Sequence, residues 1–321
     1  MTNSSGSWRP TASLDALRFR AECARKARDF FRDRGLLEVE TPLVAEVGTV
    51  DLWIDSFEVR STLSRGSLWL QTSPEFHMKR LLAAGSGPIW QMTRAFRDEG
   101  RGRLHNPEFS IVEWYRPGFP LRELCQEVED LCRTVVPDLP KARWMSYREA
   151  FLERAGVDPF EDPVDKIRQA AEECSEVLPP IAHSDRDGWL DLLMVLRVEK
   201  GLGEEAPVFL WGYPPSRAAL ARIEPGPPPV ALRAELYWKG VELCNAYDEL
   251  VDPVEQLQRF QEESRARALL AKPTPPIDHG LVAALAEGMP ACSGVALGFD
   301  RLVQLAFGAE RVADVIAFAE G

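Results

Sequence analysis

Histidine is scarce in this chain, four residues in 321 (His77, His105, His183 and His279), and the H-E-x-x-H spacing is absent. That scarcity argues against zinc hydrolase chemistry, whose metal needs paired imidazoles on one helix face. The six cysteines (Cys23, Cys125, Cys132, Cys174, Cys244 and Cys292) form no C-x-x-C pair, so neither a zinc knuckle nor a disulfide scaffold is signalled, and reduced thiols are expected. Long apolar runs are missing too. None approaches the roughly 20 residues of a membrane span, and the polar start MTNSSGSWRP has no secretory core. The expectation is a cytoplasmic protein without a membrane partner. Positive charge is in deficit, 38 Lys and Arg against 50 Asp and Glu for a net -12, which weakens attraction of nucleic acid by the surface as a whole.

What is present centres on residues 89–115, IWQMTRAFRDEGRGRLHNPEFSIVEWY. Alternation puts Gln91, Thr93, Ala95 and Arg97 on one face of a first strand, and Trp90, Met92 and Phe96 on the other. In a second strand Phe109, Ile111, Glu113 and Tyr115 share a side opposite Ser110, Val112 and Trp114. The polar loop between them, Asp98 to Asn106, is too long for a two-residue turn. An arginine, an aromatic ring, a carboxylate and a phenol above one sheet suit a nucleoside phosphate and an amine.

Around this hairpin the chain reads as alternating elements. Ser13 caps a helix whose apolar residues recur up to Gly35, and the strand-like LLEVET stops at Pro42. Ser73 and Pro74 open another helix, with Glu75 in its first turn. Glu75 either complements the helix dipole or faces a ligand. Residues 121–135 predict an amphipathic helix with Cys125 and Cys132 on its buried side. Residues 141–225 hold helical stretches and the strand VFLWGYP, but no chemical motif. A hairpin turning at Lys239 and Gly240 brings Glu235 near Glu242; these are either solvated strand glutamates or oxygen ligands for magnesium on a nucleotide phosphate. In CSGVALGFDR, Gly294, Ala296 and Gly298 share one face, which serves either a ligand or close packing, and Arg301 follows at the next helix.

FRDEGRGRLHNPEF resembles motif 2 of class II aminoacyl-tRNA synthetases, GVALGFDR resembles motif 3, and the stretch from Gly35 to Pro42 resembles motif 1. VELCNAYDEL is similar to the lysine branch of that class. Within it, LWLQTSPEFHMKRLL, HNPEFSIVEWYRP and CSGVALGFDRLV most resemble the elongation factor P lysyltransferase family. The resemblance implies an α+β fold, a six-stranded antiparallel sheet flanked by helices, in a homodimer joined through motif 1. It implies a short flexible lead, residues 1–12, before one catalytic domain, residues 13–321.

By the same resemblance ATP and Mg2+ take part. Arg97 and Arg301 are the catalytic cations, the former on the α-phosphate and the latter on the γ-phosphate. His105 and Asn106 border the nucleotide, the ring of Phe109 stacks on adenine, and Asp98, Glu99, Leu243 and Gly298 also belong to the ATP site. Glu235 and Glu242 match magnesium carboxylates, Glu242 also touching ATP. Ser73, Glu75, Glu113, Tyr115, Asn245, Glu249 and Ala296 match the substrate pocket: Glu75 for the backbone-side amine, Glu249 and Tyr115 for the ε-ammonium. The implied reaction is activation of (R)-β-lysine or lysine as an adenylate and transfer to a lysine side chain of elongation factor P. A lysyl-tRNA synthetase normally places an OB-fold before the core, whereas about a dozen residues precede the first helix here, so tRNA is not the expected partner. Ala296 stands where those synthetases have glycine. Asp98, Ala246 and Asp248 depart from the modification enzymes, and the alternative is a truncated lysyl-tRNA synthetase or a tRNA-independent lysyl-adenylate former.

Overall fold

The computed structural model describes residues 8–62, 66–98, 100, 102–175 and 177–319. In chain order the first part contains α1 (Leu14–Asp33), β1 (Leu37–Glu38), β2 (Val44–Ala45), β3 (Glu58–Val59), β4 (Leu68–Leu70), α2 (Glu75–Ala83), β5 (Ile89–Phe96), β6 (Glu108–Pro117) and α3 (Leu121–Val135). A middle section follows with β7 (Arg143–Ser146), α4 (Tyr147–Ala155), α5 (Val164–Glu172), α6 (Arg186–Leu193), β8 (Val208–Tyr213) and β9 (Ile223–Glu224). The last part is β10 (Val230–Trp238), β11 (Val241–Asp248), α7 (Pro253–Leu269), α8 (His279–Gly288), β12 (Cys292–Gly298) and α9 (Phe299–Phe307).

The main sheet corrects the sequence expectation. It is mixed and has nine strands among the described residues, ordered β1-β5-β6-β12-β11-β10-β8-β7 with β9 beside β10. Six neighbours from β5 to β8 pair antiparallel, but β1 lies parallel to β5 at one edge and β7 parallel to β8 at the other. Both additions are short segments laid along the outer strands, where they occupy backbone groups that an open edge would leave unpaired.

Local chemistry accounts for several boundaries. Ser13 accepts the Ala16 N–H at the start of α1, and Gly35 just beyond its end takes a left-handed φ of 72°. Lys239 and Gly240 both have positive φ, 51° and 69°, as a two-residue hairpin turn between β10 and β11 demands. α2 begins at Glu75, one residue later than the Pro74 start expected, with the Ser73 hydroxyl accepting the Glu75 N–H.

One face of the sheet is covered. Val112 and Trp114 of β6, Val295 and Leu297 of β12 and Cys244 and Ala246 of β11 pack with Phe31 of α1 and Leu124, Val128 and Leu131 of α3. Cys125 and Cys132 are buried there, on the side of α3 that the helical spacing predicted. α4, α5 and α6 form a satellite core against β8 around Tyr147, Phe151, Ile167 and Trp189. Met78, Leu82, Leu281 and Phe260 of α2, α8 and α7 enclose Tyr115 at the other side. The remaining sheet surface faces a cavity.

Candidate active site

Strand register explains how residues far apart in sequence meet. Gln91, Glu113, Ala296, Asn245 and Glu235 are successive cross-strand partners over five strands. Two positions along, Tyr115, Gly294, Tyr247 and Arg233 form a second row. Opposed residues in a ladder share a face, so one surface carries carboxylates, phenols and an arginine.

That surface floors a cavity of about 1190 Å³. Of the candidates, Ser73, Glu75, Arg97, His105, Asn106 and Phe109 line it, as do Glu235, Glu242, Leu243, Asn245, Ala296, Gly298 and Arg301. Glu113, Tyr115 and Glu249 are buried and do not line it. Asp98 is exposed and outside the lining, its N–H donating to the Asp55 carbonyl. Glu99 lies outside the described residues.

One end of the cavity is basic. Arg97 stands 5.2 Å over the Phe109 ring, and its Nε has no hydrogen-bond partner among the described residues. α9 starts directly after β12, and Asp300 fixes that start by accepting the Ser110 N–H at 2.8 Å and pairing with Arg20 at 2.6 Å. Arg301 can therefore reach back, donating to the Glu242 carbonyl at 2.9 Å and to the Leu104 carbonyl at 3.3 Å. Its other nitrogen is 2.9 Å from His105 Nε2. A guanidinium only donates, so that imidazole nitrogen accepts. Burial first, then Arg301 and Arg97, hold His105 below the ordinary histidine range, which keeps it neutral.

Carboxylates face this end. Burial and the charge of Glu235 push Glu242 upward, against the pull of Arg301 at 3.5 Å. Glu235 is more committed: it pairs with Arg233 and accepts the hydroxyls of Tyr213 at 2.5 Å and Tyr237 at 2.7 Å. Glu199 is raised to about 7 by burial, then by Glu242 and Glu235. Among the described residues no three His, Cys, Asp or Glu groups form a metal cage. Magnesium with a nucleotide needs only one or two carboxylates, because phosphate oxygens and water complete its shell. Glu242 fits that demand, while Glu235 keeps one lone pair on Oε1 beyond its three donors.

The other end is a buried acidic cluster. Glu113 accepts the Ser73 hydroxyl at 2.8 Å and the Tyr115 hydroxyl at 2.7 Å. Glu75 and Glu249 each lie 2.6 Å from the ammonium of Lys79. Gly294 makes room for this cluster, since a Cβ there would fall inside the Tyr115 ring and the Glu249 carboxylate. At Gly298 a Cβ would make only ordinary contact, 3.5 Å from Arg301 Cδ and 3.7 Å from the Leu243 carbonyl. The small-residue stripe thus has two causes, packing at one end and open space at the other.

The sequence reading overlooked Lys79, Glu199, Tyr213 and Arg233. Lys79 had a signal, four residues after Glu75 and beside Met78 on the apolar face of α2. Glu199 had none, because it closes an irregular turn of helix, Met194–Val198, in the stretch without motifs. Asp248 is now accounted for: Arg222 holds it through two bonds of 3.0 Å.

Paired arginines and carboxylates thus face one end of a sheet-floored cavity, and a buried acidic cluster lies beyond its other end. Residues 3–321 match the family of tRNA synthetases class II (D, K and N), and the chain belongs to that family. Its class reaction is activation of an amino acid by ATP, generally with Mg2+.

Proposed function

We propose that the chain activates a diamino acid, (R)-β-lysine or lysine, as its adenylate and passes the acyl group to a lysine side chain of elongation factor P. The observation that carries the substrate class is the buried trio Glu75, Glu113 and Glu249 at the end opposite the arginines, an environment that calls for ammonium groups. Support for the modification branch comes from the resemblance of LWLQTSPEFHMKRLL and CSGVALGFDRLV, and from Ala296 at the centre of the floor.

In this reading the substrate carboxylate attacks the α-phosphorus of ATP, a P–O bond forms, and pyrophosphate leaves. Two anions must approach, so Arg97 and Arg301 offset their repulsion and hold them in line. Glu242, together with Glu235, would hold magnesium, which when bound would supply further positive charge to the phosphates. His105, neutral, steadies Arg301 without competing for the anion. Phe109 offers its ring to the adenine. Leu37 at β1, within motif 1, is 55% exposed, an apolar side chain available where motif 1 would join two copies.

The test is intact-mass analysis of elongation factor P after incubation with ATP and each lysine isomer. A gain of one lysyl residue is expected. Labelling of tRNA with an unmodified factor would favour the tRNA-charging alternative.

Ala296→Gly tests the floor of the pocket. Removing one methyl is expected to shift the activation ratio toward α-lysine, by an amount on the scale of about 1–3 kcal/mol for a tight pocket. Pyrophosphate exchange with both isomers reads that ratio, and an unchanged ratio would remove Ala296 from the specificity argument.

A further inference from the structure

The ion pairs of Lys79 have no part in the chemistry above. Lys79 sits one turn after Glu75 on α2, between core residues Met78 and Leu82. Its side chain is 1% exposed, and Nζ stands 2.6 Å from Glu75 Oε1 and 2.6 Å from Glu249 Oε2. One ammonium therefore bridges a carboxylate in the cavity wall and a carboxylate behind it. Glu113 is close enough to feel both of those charges, and it is fixed separately by Ser73 and Tyr115. The cluster holds three carboxylates and one cation. Surplus negative charge in a buried site is costly when the site is empty and is relieved by a bound cation.

Building on the lysine reading, we infer that Lys79 is a positioning and specificity-determining residue. Its ammonium clamps Glu75 and Glu249 in place and, when all three carboxyls are ionised around the substrate, cancels only one of their three negative charges, leaving a pocket matched to an amino acid with two ammonium groups.

The surrounding groups support this division of charge. Tyr115 and Cys292 are both pushed upward by burial and stay neutral. Asp248 adds to the charge that Glu249 feels but is tied to Arg222. Burial first, and then the neighbouring carboxylate Glu75, raise Glu113 to about 8. Glu249 is also raised to about 8 by burial, with Lys79 the chief influence in the other direction. A protonated carboxyl must lose its proton to receive an ammonium, so the KM for lysine falls as pH rises toward that range. Without Lys79, Glu249 titrates higher still, and the fall moves to higher pH.

The experiment measures lysine-dependent ATP–pyrophosphate exchange between about pH 6 and 9 for the wild type, Lys79→Met and Lys79→Arg. Norleucine, which lacks the terminal amine, serves as the comparison substrate. Lys79→Met is expected to raise the KM for lysine by about tenfold or more at neutral pH, the equivalent of one pKa unit. It should leave the KM for ATP unchanged, move the pH dependence upward and shrink the preference for lysine over norleucine. Lys79→Arg keeps the cation, so it should retain the pH dependence and the preference with a smaller rise in KM. If Lys79→Met does not fold, Lys79→Arg decides alone: both features retained supports the assignment, both lost overturns it. A Lys79→Met enzyme with wild-type lysine KM and pH profile overturns the inference, as does a parallel rise in both KM values with unchanged preference. A wild type that exchanges with neither lysine isomer overturns the lysine reading and this inference together.

Discussion

Arg97→Ala is expected to lower amino-acid-dependent pyrophosphate exchange by about two to three orders of magnitude, the usual loss when one preorganised donor to developing negative charge is deleted. Arg97 is the arginine with capacity to spare. Arg301 already serves the carbonyls of Glu242 and Leu104 and the ring of His105, whereas Arg97 rests over Phe109 with its Nε unpartnered among the described residues. Its charge nevertheless acts on the site, lowering both His105 and Glu242. Its main chain is secured by the bond from Arg97 N–H to the Pro107 carbonyl, which alanine would retain. The variant should therefore unfold within about 0.5 kcal/mol of the wild type, as substitutions outside the core generally do. Arg97→Lys separates charge from shape. An ammonium is a point charge and cannot grip phosphate oxygens with a two-pronged fork, so partial activity is expected. Exchange at the wild-type rate in the alanine variant would mean that the phosphate binds elsewhere.

Period-2 alternation was legible because the two faces of the sheet differ in chemistry, one apolar against α1 and α3 and the other polar toward the cavity and the acidic cluster. Trp90, Val112 and Trp114 had to point inward, which left Gln91, Glu113 and Arg97 for the opposite surface. The Lys239–Gly240 turn was legible because two consecutive positive φ values restrict residue choice. The parallel edges were legible only in part: β1 lies within the strand-like LLEVET, but two residues do not reveal its parallel direction, and β7 runs straight into α4 without a periodic signature of its own. The same limit hid Arg233 and Tyr213, which look like ordinary strand residues until β8, β10 and β11 are laid side by side around Glu235. Glu235 shows what that proximity changes. Its spacing from Glu242 left an open metal ligand as one of two readings, but three donors converge on it, Arg233 and Tyr237 from its own strand and Tyr213 from β8.

Gly294→Ala should be the most damaging single-methyl change in the molecule's amino acid pocket. The added Cβ would be driven into ring carbons of Tyr115 and into Glu249 Oε1. Neither group has an easy retreat: Tyr115 is packed against Met78, Ile89 and Phe260 with its hydroxyl on Glu113, and Glu249 is tied to Lys79. Overpacking of this kind costs about 1–3 kcal/mol, and thermal unfolding should register it. Displacing the phenol and the carboxylate should also lower lysine activation by about a hundredfold, since misplacing a contact by about 1 Å has that scale of effect. Gly298→Ala is the matched control on the same strand. Its Cβ meets nothing closer than 3.5 Å, so the fold should be unaffected, while the methyl enters the space beside Arg301 and raises the KM for ATP instead. The two glycines thus separate the ends of the cavity, one variant losing the amino acid and the other the nucleotide. Equal effects on both substrates in both variants would show that the cavity does not divide as drawn here.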